Sequence, residues 1–179
     1  MTKVCHVALL LAAALFALTA CQSGGQGGAG QGPATPELSK ADAIFINTAG
    51  TAGLAGVAFG QLAATKAKDP AVRQLAEQIV ADFTAIDRQV AALAQTVGIA
   101  PPTDMDGRHQ MLYRQLEPLS GPAFDRAYVN GQLQDLTMAI QAFQAESDSG
   151  SLPQVRSLAT QSLPALQQHL RTAAGIAAL

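Results

Sequence analysis

The sequence predicts an all-α fold, a bundle of four long helices with an extra short helix in the connection at its middle. From Ser39 onward, apolar residues recur every three or four positions, as they do on one face of a helix. No run of alternating β-branched residues is long enough to predict a strand. The long connection in the middle of this region permits a crossover between helices rather than simple up-and-down hairpins.

The first two long helices have clear starting signals. Ser39 and Asp42 have the spacing of a capping box, which predicts a helix that runs to about Ala67. Asp69-Pro70 predicts the next start, with an N-cap followed by proline at the first helical position, and Gly98 ends that helix. The second helix has the longest apolar stripe, formed by Val72, Leu75, Ile79, Phe83, Ile86, Val90, Leu93 and Val97.

Three further helices follow the connection at residues 98–106. The short one is predicted from Gly107 to about Glu117, and Ser120-Gly121-Pro122 begins a long helix that ends near Asp148. The last helix begins around residues 151–153 and contains Pro164. Proline removes a backbone hydrogen bond, so we expect a kink there unless this helix is two pieces.

The first 38 residues have the pattern of an exported lipoprotein. An apolar run over residues 7–18 precedes Leu18-Thr19-Ala20-Cys21, which has the form of a lipobox. Cleavage before Cys21 would discard Cys5 and leave no disulfide partner within the chain, which favours lipidation of Cys21. Residues 22–36 contain six glycines and two prolines, a composition typical of a flexible tether. We therefore predict a signal peptide at 1–20, an anchor and tether at 21–38, and the helical domain at 39–176.

Composition and charge narrow the possible partners. Without residues 1–20 the chain has 10 basic and 13 acidic residues, a formal charge near −3, and it has no basic run. This pattern argues against binding to nucleic acid. We expect the membrane to be bound through lipidated Cys21, with an envelope protein or a second copy of the chain as a further partner. Gln22 after the cysteine favours the outer membrane, on the periplasmic side.

Three segments resemble a known family. They are Gly60-Gln61-Leu62-Ala63, residues 121–128 with the sequence GPAFDRAY, and residues 163–170 with the sequence LPALQQHL. In order and spacing they are similar to the bacterial domain-of-unknown-function 4142 family over about residues 39–175. The resemblance implies an exported, often lipid-anchored protein with a ferritin-like four-helix bundle, and it implies no established activity.

The resemblance also implies four inward positions that usually carry one glutamate and three histidines. Such a set would resemble the metal-binding layout of ferritin-like carboxylate proteins. Here the four positions hold Gly56, Phe83, Leu136 and His169, of which only His169 can ligate. One imidazole cannot hold a metal, so we predict no metal, no cofactor and no catalytic residue. Because glycine opens space and phenylalanine fills it, we expect the Phe83 ring to lie near Gly56.

Other polar residues are given structural roles. His169 is interpreted as a satisfied polar residue at the edge of the core, with a relic ligand or a proton carrier as alternatives. His109, beside Arg108 and Gln110, is predicted to lie on the surface. Asp82 and Asp135 are predicted to lie on solvated faces. The glycines of the first helix allow close packing within the bundle, a partner surface or a weak helix.

Three functions remain open at this point. The first is a non-enzymatic, lipid-anchored envelope protein that binds a partner or has a structural role. The second is a ferritin-like metal-binding or redox protein of the periplasm, which would recruit ligands such as His169 with Asp82 or Asp135. The third is an envelope-stress protein that acts through abundance without a defined site.

Overall fold

The protein is described by a computed structural model that covers residues 37–179, and these residues form five helices and no strand. The all-α prediction is confirmed, and the helix bounds closely follow the predicted ones. The predicted signal peptide, Cys21 and most of the predicted tether lie outside the described residues. The helices are α1 (Lys40–Lys66), α2 (Pro70–Thr96), α3 (Gly107–Leu116), α4 (Gly121–Ser149) and α5 (Pro153–Ala177).

The predicted caps are present at the starts of α1 and α2. The Ser39 hydroxyl accepts a bond from the Asp42 backbone N–H at 3.0 Å, and the Asp42 carboxylate accepts one from the Ser39 N–H at 2.8 Å. These two bonds complete the capping box. Asp69 caps α2 by accepting from the Ala71 N–H at 2.8 Å. At the other end of α2, Gly98 has a φ of 77°, a left-handed conformation that favours glycine.

Polar contacts between loops and helix ends define the direction of each helix. The Asp125 carboxylate, near the start of α4, accepts bonds from the backbone N–H groups of Lys68 and Asp69 in the α1–α2 loop. Helix α4 therefore starts at the end of the bundle where α1 finishes. The Ser151 N–H, in the α4–α5 loop, donates to Asp42 at the start of α1 over 2.8 Å. Helices α1 and α4 are thus antiparallel neighbours.

The connection between α2 and α4 crosses the length of the bundle. Helix α2 ends beside the start of α1, whereas α4 begins at the opposite end, so residues 97–120 must span that distance. This single crossover is the topology of ferritin-like bundles, as predicted. Each of α1 and α5 packs against both α2 and α4, and α3 lies across α1 and α4. The short helix α3 is therefore packed against the bundle rather than projecting from it.

Helices α1 and α2 approach each other closely. A Cβ atom placed on Gly60 would lie 3.1 Å from the Ala76 backbone oxygen of α2. A Cβ on Gly56 would come within 2.8 Å of the Phe83 ring. Of the three readings of the glycine-rich α1, close packing within the bundle is the one observed. By length and apolarity alone α1 could also span a membrane, but half or more of its most apolar window is buried in the bundle.

Helix α5 is continuous through Pro164, so the alternative of two separate pieces is wrong. Proline removes one hydrogen bond, and buried residues on both sides of it, Leu163 and Leu166, hold the helix against the core. The core itself is apolar and contiguous. Its largest fully buried side chains include Tyr128, Phe59, Phe124, Ile46, Leu75 and Ile79.

Candidate functional site

The four positions singled out by the family pattern come from four different long helices, and all face the interior. Phe83, Leu136 and His169 are buried on α2, α4 and α5, and Gly56 is buried on α1. A Cβ atom on Gly56 would lie 2.8 Å from Cδ1, 3.0 Å from Cγ and 3.2 Å from Cε1 of Phe83. The predicted contact between Phe83 and Gly56 is therefore present, and the aromatic ring fills the space above the glycine.

A small cavity marks the point where three of these positions meet. Its volume is about 10 Å³, and Gly56, Phe83 and Leu136 form part of its wall. That volume is near the lower limit for one water molecule. The polar side chains in the wall are those of His109, Gln132 and Asp135. The cavity is thus mainly apolar, with its polar groups on the side of α3 and α4.

His169 lies beside Phe83 and pairs with an acid on another helix. Its ring centroid is 6.4 Å from that of Phe83, and its Nε2 is 2.9 Å from Oδ2 of Asp82 on α2. Burial lowers the pKa of His169, and the Asp82 carboxylate opposes that shift. The Asp82 side chain is about half exposed, at 48%. The predicted solvated face is therefore right only in part, because one carboxylate oxygen turns inward to the histidine.

His109 is buried, and its predicted surface position is wrong. Only 3% of the residue is exposed. Its Nδ1 lies 3.0 Å from Oδ1 of Asp106, and its Nε2 lies 2.7 Å from Nη2 of Arg108. A guanidinium can only donate, so Nε2 is the acceptor of a neutral ring. Burial lowers the pKa of His109, and the positive charge of Arg108 also lowers it. The carboxylates of Asp135 and Asp106 raise it.

Asp135 belongs to the same cluster, and its predicted solvated face is also wrong. Its side chain is 14% exposed and forms an ion pair with Arg108 of α3. Its Oδ2 is 3.9 Å from Nε2 of His109. The Asp106 carboxylate also caps α3 by accepting from the His109 N–H at 2.9 Å. Together these four side chains attach the crossover helix to α4.

A helical stripe in the sequence could have located His109 in the interior. His109, Leu112, Tyr113 and Leu116 are spaced i, i+3, i+4 and i+7, which is the pattern of one helix face. Leu116 is buried, and the Tyr113 and His109 rings lie 6.5 Å and 6.1 Å from the Phe59 ring. The sequence prediction considered only the polar neighbours of His109 along the chain, which point away from the core.

The side chains at these positions do not fit a ferritin-like metal centre. Gly56, Phe83 and Leu136 provide no ligand atoms, and the Phe83 ring takes up the space beside Gly56. Within residues 37–179, no three His, Cys, Asp or Glu side chains are grouped so that they could hold a metal ion. His109 cannot replace the missing ligands, because its Nε2 faces the positive charge of Arg108. Gly56, Phe83 and Leu136 therefore provide packing, and His169 pairs with Asp82.

Asp125, three residues before Tyr128 in α4, has a local structural role. Its carboxylate accepts two backbone N–H bonds at 3.0 Å each, from Lys68 and Asp69 in the α1–α2 loop. Tyr128 is fully buried, and its ring stacks on Phe124 with 5.7 Å between centroids. Burial raises the pKa of Tyr128, and its hydroxyl has no hydrogen-bond partner among the described residues.

Comparisons with known proteins agree with this architecture. The chain superposes on a DUF305 fragment from Deinococcus radiodurans with a TM-score of 0.71, 17% identity, and coverage of 80% of this chain and 99% of that one. A DUF305 protein from Streptomyces coelicolor, described as a candidate secreted protein, gives a TM-score of 0.67 at 14% identity, with coverage of 77% and 91%. At these identities the likeness is one of fold. No curated protein matches the sequence. The model of the domain-of-unknown-function family DUF4142 matches residues 28–176, and the chain therefore belongs to that family.

Proposed function

We propose that this protein is a lipid-anchored, non-enzymatic helical domain of the cell envelope that binds a partner or has a structural role. The observation that carries this proposal is the contact of the Phe83 ring with Gly56. A Cβ atom placed on Gly56 would lie 2.8 Å from Cδ1 of Phe83. Where relatives would present metal ligands to the interior, this chain has interlocking apolar groups. An interior filled in this way stabilises the bundle, and three of the four family positions present no ligand atom to its centre.

The proposed location in the cell envelope rests on the N-terminal sequence. Leu18-Thr19-Ala20-Cys21 follows an apolar run, and a glycine-rich segment separates Cys21 from the helical domain. A diacylglycerol on the Cys21 sulfur plus an N-acyl chain would give stable anchoring, which takes more than one acyl chain. The description of the Streptomyces coelicolor neighbour as a candidate secreted protein agrees with export. We place the anchor in the outer membrane, on the periplasmic side.

Labelling with radioactive palmitate, followed by membrane fractionation, tests the anchor. We expect Cys21→Ser to lose the label and to leave the membrane fraction. Cys5→Ser is the matched control, because it removes the other cysteine of the chain, and it should behave as wild type. Tight membrane retention of unlabelled Cys21→Ser would contradict the proposed anchor.

Metal analysis of the purified protein tests the proposed non-metal role. We expect less than stoichiometric iron, manganese and zinc in wild type and in both His169→Ala and His109→Ala. A stoichiometric metal that is lost in one histidine variant and kept in the other would favour the ferritin-like metal protein instead. A specific envelope partner captured by crosslinking in membranes would favour a binding role over one exerted by abundance alone.

A further inference from the structure

A groove lies on the surface between α2 and α5. Its volume is about 200 Å³, and it shares no lining residue with the small interior cavity. Ala85, Ile86 and Ala165 form its apolar part, and Asp82 and Ser162 are among its polar residues. Pockets that hold drug-sized ligands have volumes of about 300–1,000 Å³. This groove therefore suits a small molecule or one end of a longer one.

The Asp82 carboxylate brings a negative charge to this groove. Its side chain is 48% exposed, and its Oδ2 is held 2.9 Å from Nε2 of the buried His169. Among residues 37–179, no lysine or arginine forms an ion pair with Asp82. Burial lowers the pKa of His169 and the Asp82 charge opposes that shift, so the imidazole is neutral at neutral pH. The charge of Asp82 is therefore fixed in place and is not cancelled by a cation of the bundle.

The polar groups that α5 contributes to the groove are mainly hydrogen-bond acceptors. Ser162 is buried, and its hydroxyl donates its hydrogen to the Leu158 backbone oxygen at 2.9 Å. Its oxygen can therefore only accept from a ligand. The Gln161 amide nitrogen donates to the Ser157 hydroxyl at 2.8 Å, which leaves the Gln161 carbonyl oxygen available to accept. Together with the carboxylate of Asp82, these oxygens require a ligand that donates.

A primary ammonium group has the charge and the hydrogen-bonding character that match this groove. It carries one positive charge and three donor hydrogens, and it accepts no hydrogen bond. A short alkyl chain attached to it would pack on Ala85, Ile86 and Ala165. A divalent metal ion matches less well, because calcium takes about six to eight oxygen ligands, several of them from carboxylates. Within residues 37–179, no three His, Cys, Asp or Glu side chains are grouped to provide them.

We propose that the groove between α2 and α5 binds the ammonium end of a small aliphatic amine. Asp82 is the counter-ion, and the oxygens of Ser162 and Gln161 accept hydrogen bonds from the ammonium group. His169 is a positioning residue that holds the Asp82 carboxylate from the interior side. The groove belongs to the helical domain, so amine binding does not require lipidation of Cys21. Loss of this site would leave the proposed envelope role unchanged.

NMR titration of the full-length protein with n-butylammonium chloride tests the site. The titration is done at neutral pH, with sodium chloride added to keep the ionic strength constant. The amide signals of Asp82, Gln161 and Ser162 should shift together and reach saturation. Because a half-exposed ion pair is weak, we expect a dissociation constant on the order of 1–10 mM. Tetramethylammonium has the same charge but no donor hydrogen, and it should bind about fivefold more weakly or less.

Three variants identify the groups that bind the amine. Asp82→Asn removes the charge and keeps the size of the side chain, so it should weaken binding about fivefold or more. Glu77→Gln is the matched control, because it removes an exposed carboxylate of the same helix outside the groove, and it should bind as wild type. Ala85→Leu fills the groove from an exposed position without a change of charge. It should weaken binding even if Asp82→Asn disturbs His169.

Several results would overturn the amine site. One is the absence of saturable shifts at n-butylammonium concentrations up to about 50 mM, well above the expected dissociation constant. Another is equal binding by Asp82→Asn and wild type, or equal binding of tetramethylammonium and n-butylammonium. Calcium chloride provides a last comparison at the same ionic strength. If calcium shifts the same amide signals at lower concentration than n-butylammonium does, the groove is a metal site and the amine assignment is wrong.

Discussion

Substitution of Gly56 by alanine tests how tightly α1 is packed against the Phe83 ring. The added Cβ would lie 2.8 Å from Cδ1 and 3.0 Å from Cγ of that ring. Both distances are shorter than the 3.5–4.0 Å of a favourable carbon–carbon contact. Phe83 has little room to yield, because only 7% of it is exposed and the adjoining cavity holds about 10 Å³. The ring or the α1 backbone must therefore shift.

The expected loss is the difference between two opposing effects. Overpacking of a dense core costs about 1–3 kcal/mol. Replacing a helical glycine by alanine stabilises the helix by about 0.5–1 kcal/mol. We expect a net loss of about 1–2 kcal/mol in the free energy of unfolding of Gly56→Ala. For a domain of this size, that loss lowers the melting temperature by about 2–8 °C.

Urea unfolding followed by circular dichroism measures this loss. Gly175→Ala is the matched control, since Gly175 is exposed on α5 and a Cβ there meets nothing within 4 Å. The control should gain up to about 1 kcal/mol from helix propensity alone. If Gly56→Ala gains as much stability as the control, the close approach of α1 and α2 at this point is refuted.

A double substitution separates steric overlap from other effects. Leucine at position 83 is smaller than phenylalanine, so Gly56→Ala should cost less in a Phe83→Leu background. For residues in contact, the coupling measured by such a cycle is about 0.5–3 kcal/mol. Additive effects of the two substitutions would contradict the contact, even if each one alone is destabilising.

Two buried polar groups give further predictions. Burial lowers the pKa of His109, so the stabilisation that the neutral ring gives to the fold is present above pH 6.5 and is lost below it. The stability of His109→Leu should therefore rise relative to wild type as the pH falls from 7 to 5. A difference in unfolding free energy that does not change across that range would contradict this. Tyr128→Phe should be neutral or slightly stabilising, because it removes a buried hydroxyl without a partner; a loss above about 1 kcal/mol in urea unfolding would mean that the hydroxyl is hydrogen bonded.

The helices could be predicted because their signals are local. Ser39 with Asp42, and Asp69 with Pro70, fix the starts of α1 and α2 within a few residues of sequence. The apolar periodicity of α2 identifies the face that packs, and so Phe83 could be placed inside before its neighbours were known. Its contact with Gly56 was predictable because a position that loses volume favours a partner that gains it.

The polar contacts between helices could not be predicted in the same way. Asp82 pairs with His169, and Asp42 accepts from the Ser151 N–H, over separations that sequence periodicity does not encode. Asp135 lies one residue from the core position of Leu136, a placement equally compatible with solvent or with a neighbouring helix. The presence of α3 beside α4 decides between these, because Arg108 covers the Asp135 carboxylate.

Acidic residues in this bundle act mainly on its connections. Asp125 binds the α1–α2 loop, Asp42 binds the α4–α5 loop, and Asp135 binds the crossover helix through Arg108. The long helices, in contrast, meet through apolar contacts such as that of Phe83 with Gly56. Between the long helices, His169 and Asp82 form one acid–histidine pair, whereas Asp125, Asp42 and Asp135 lie at the helix ends and along the crossover. This distribution favours a bundle in which polar side chains hold the loops and helix ends in place around an apolar centre.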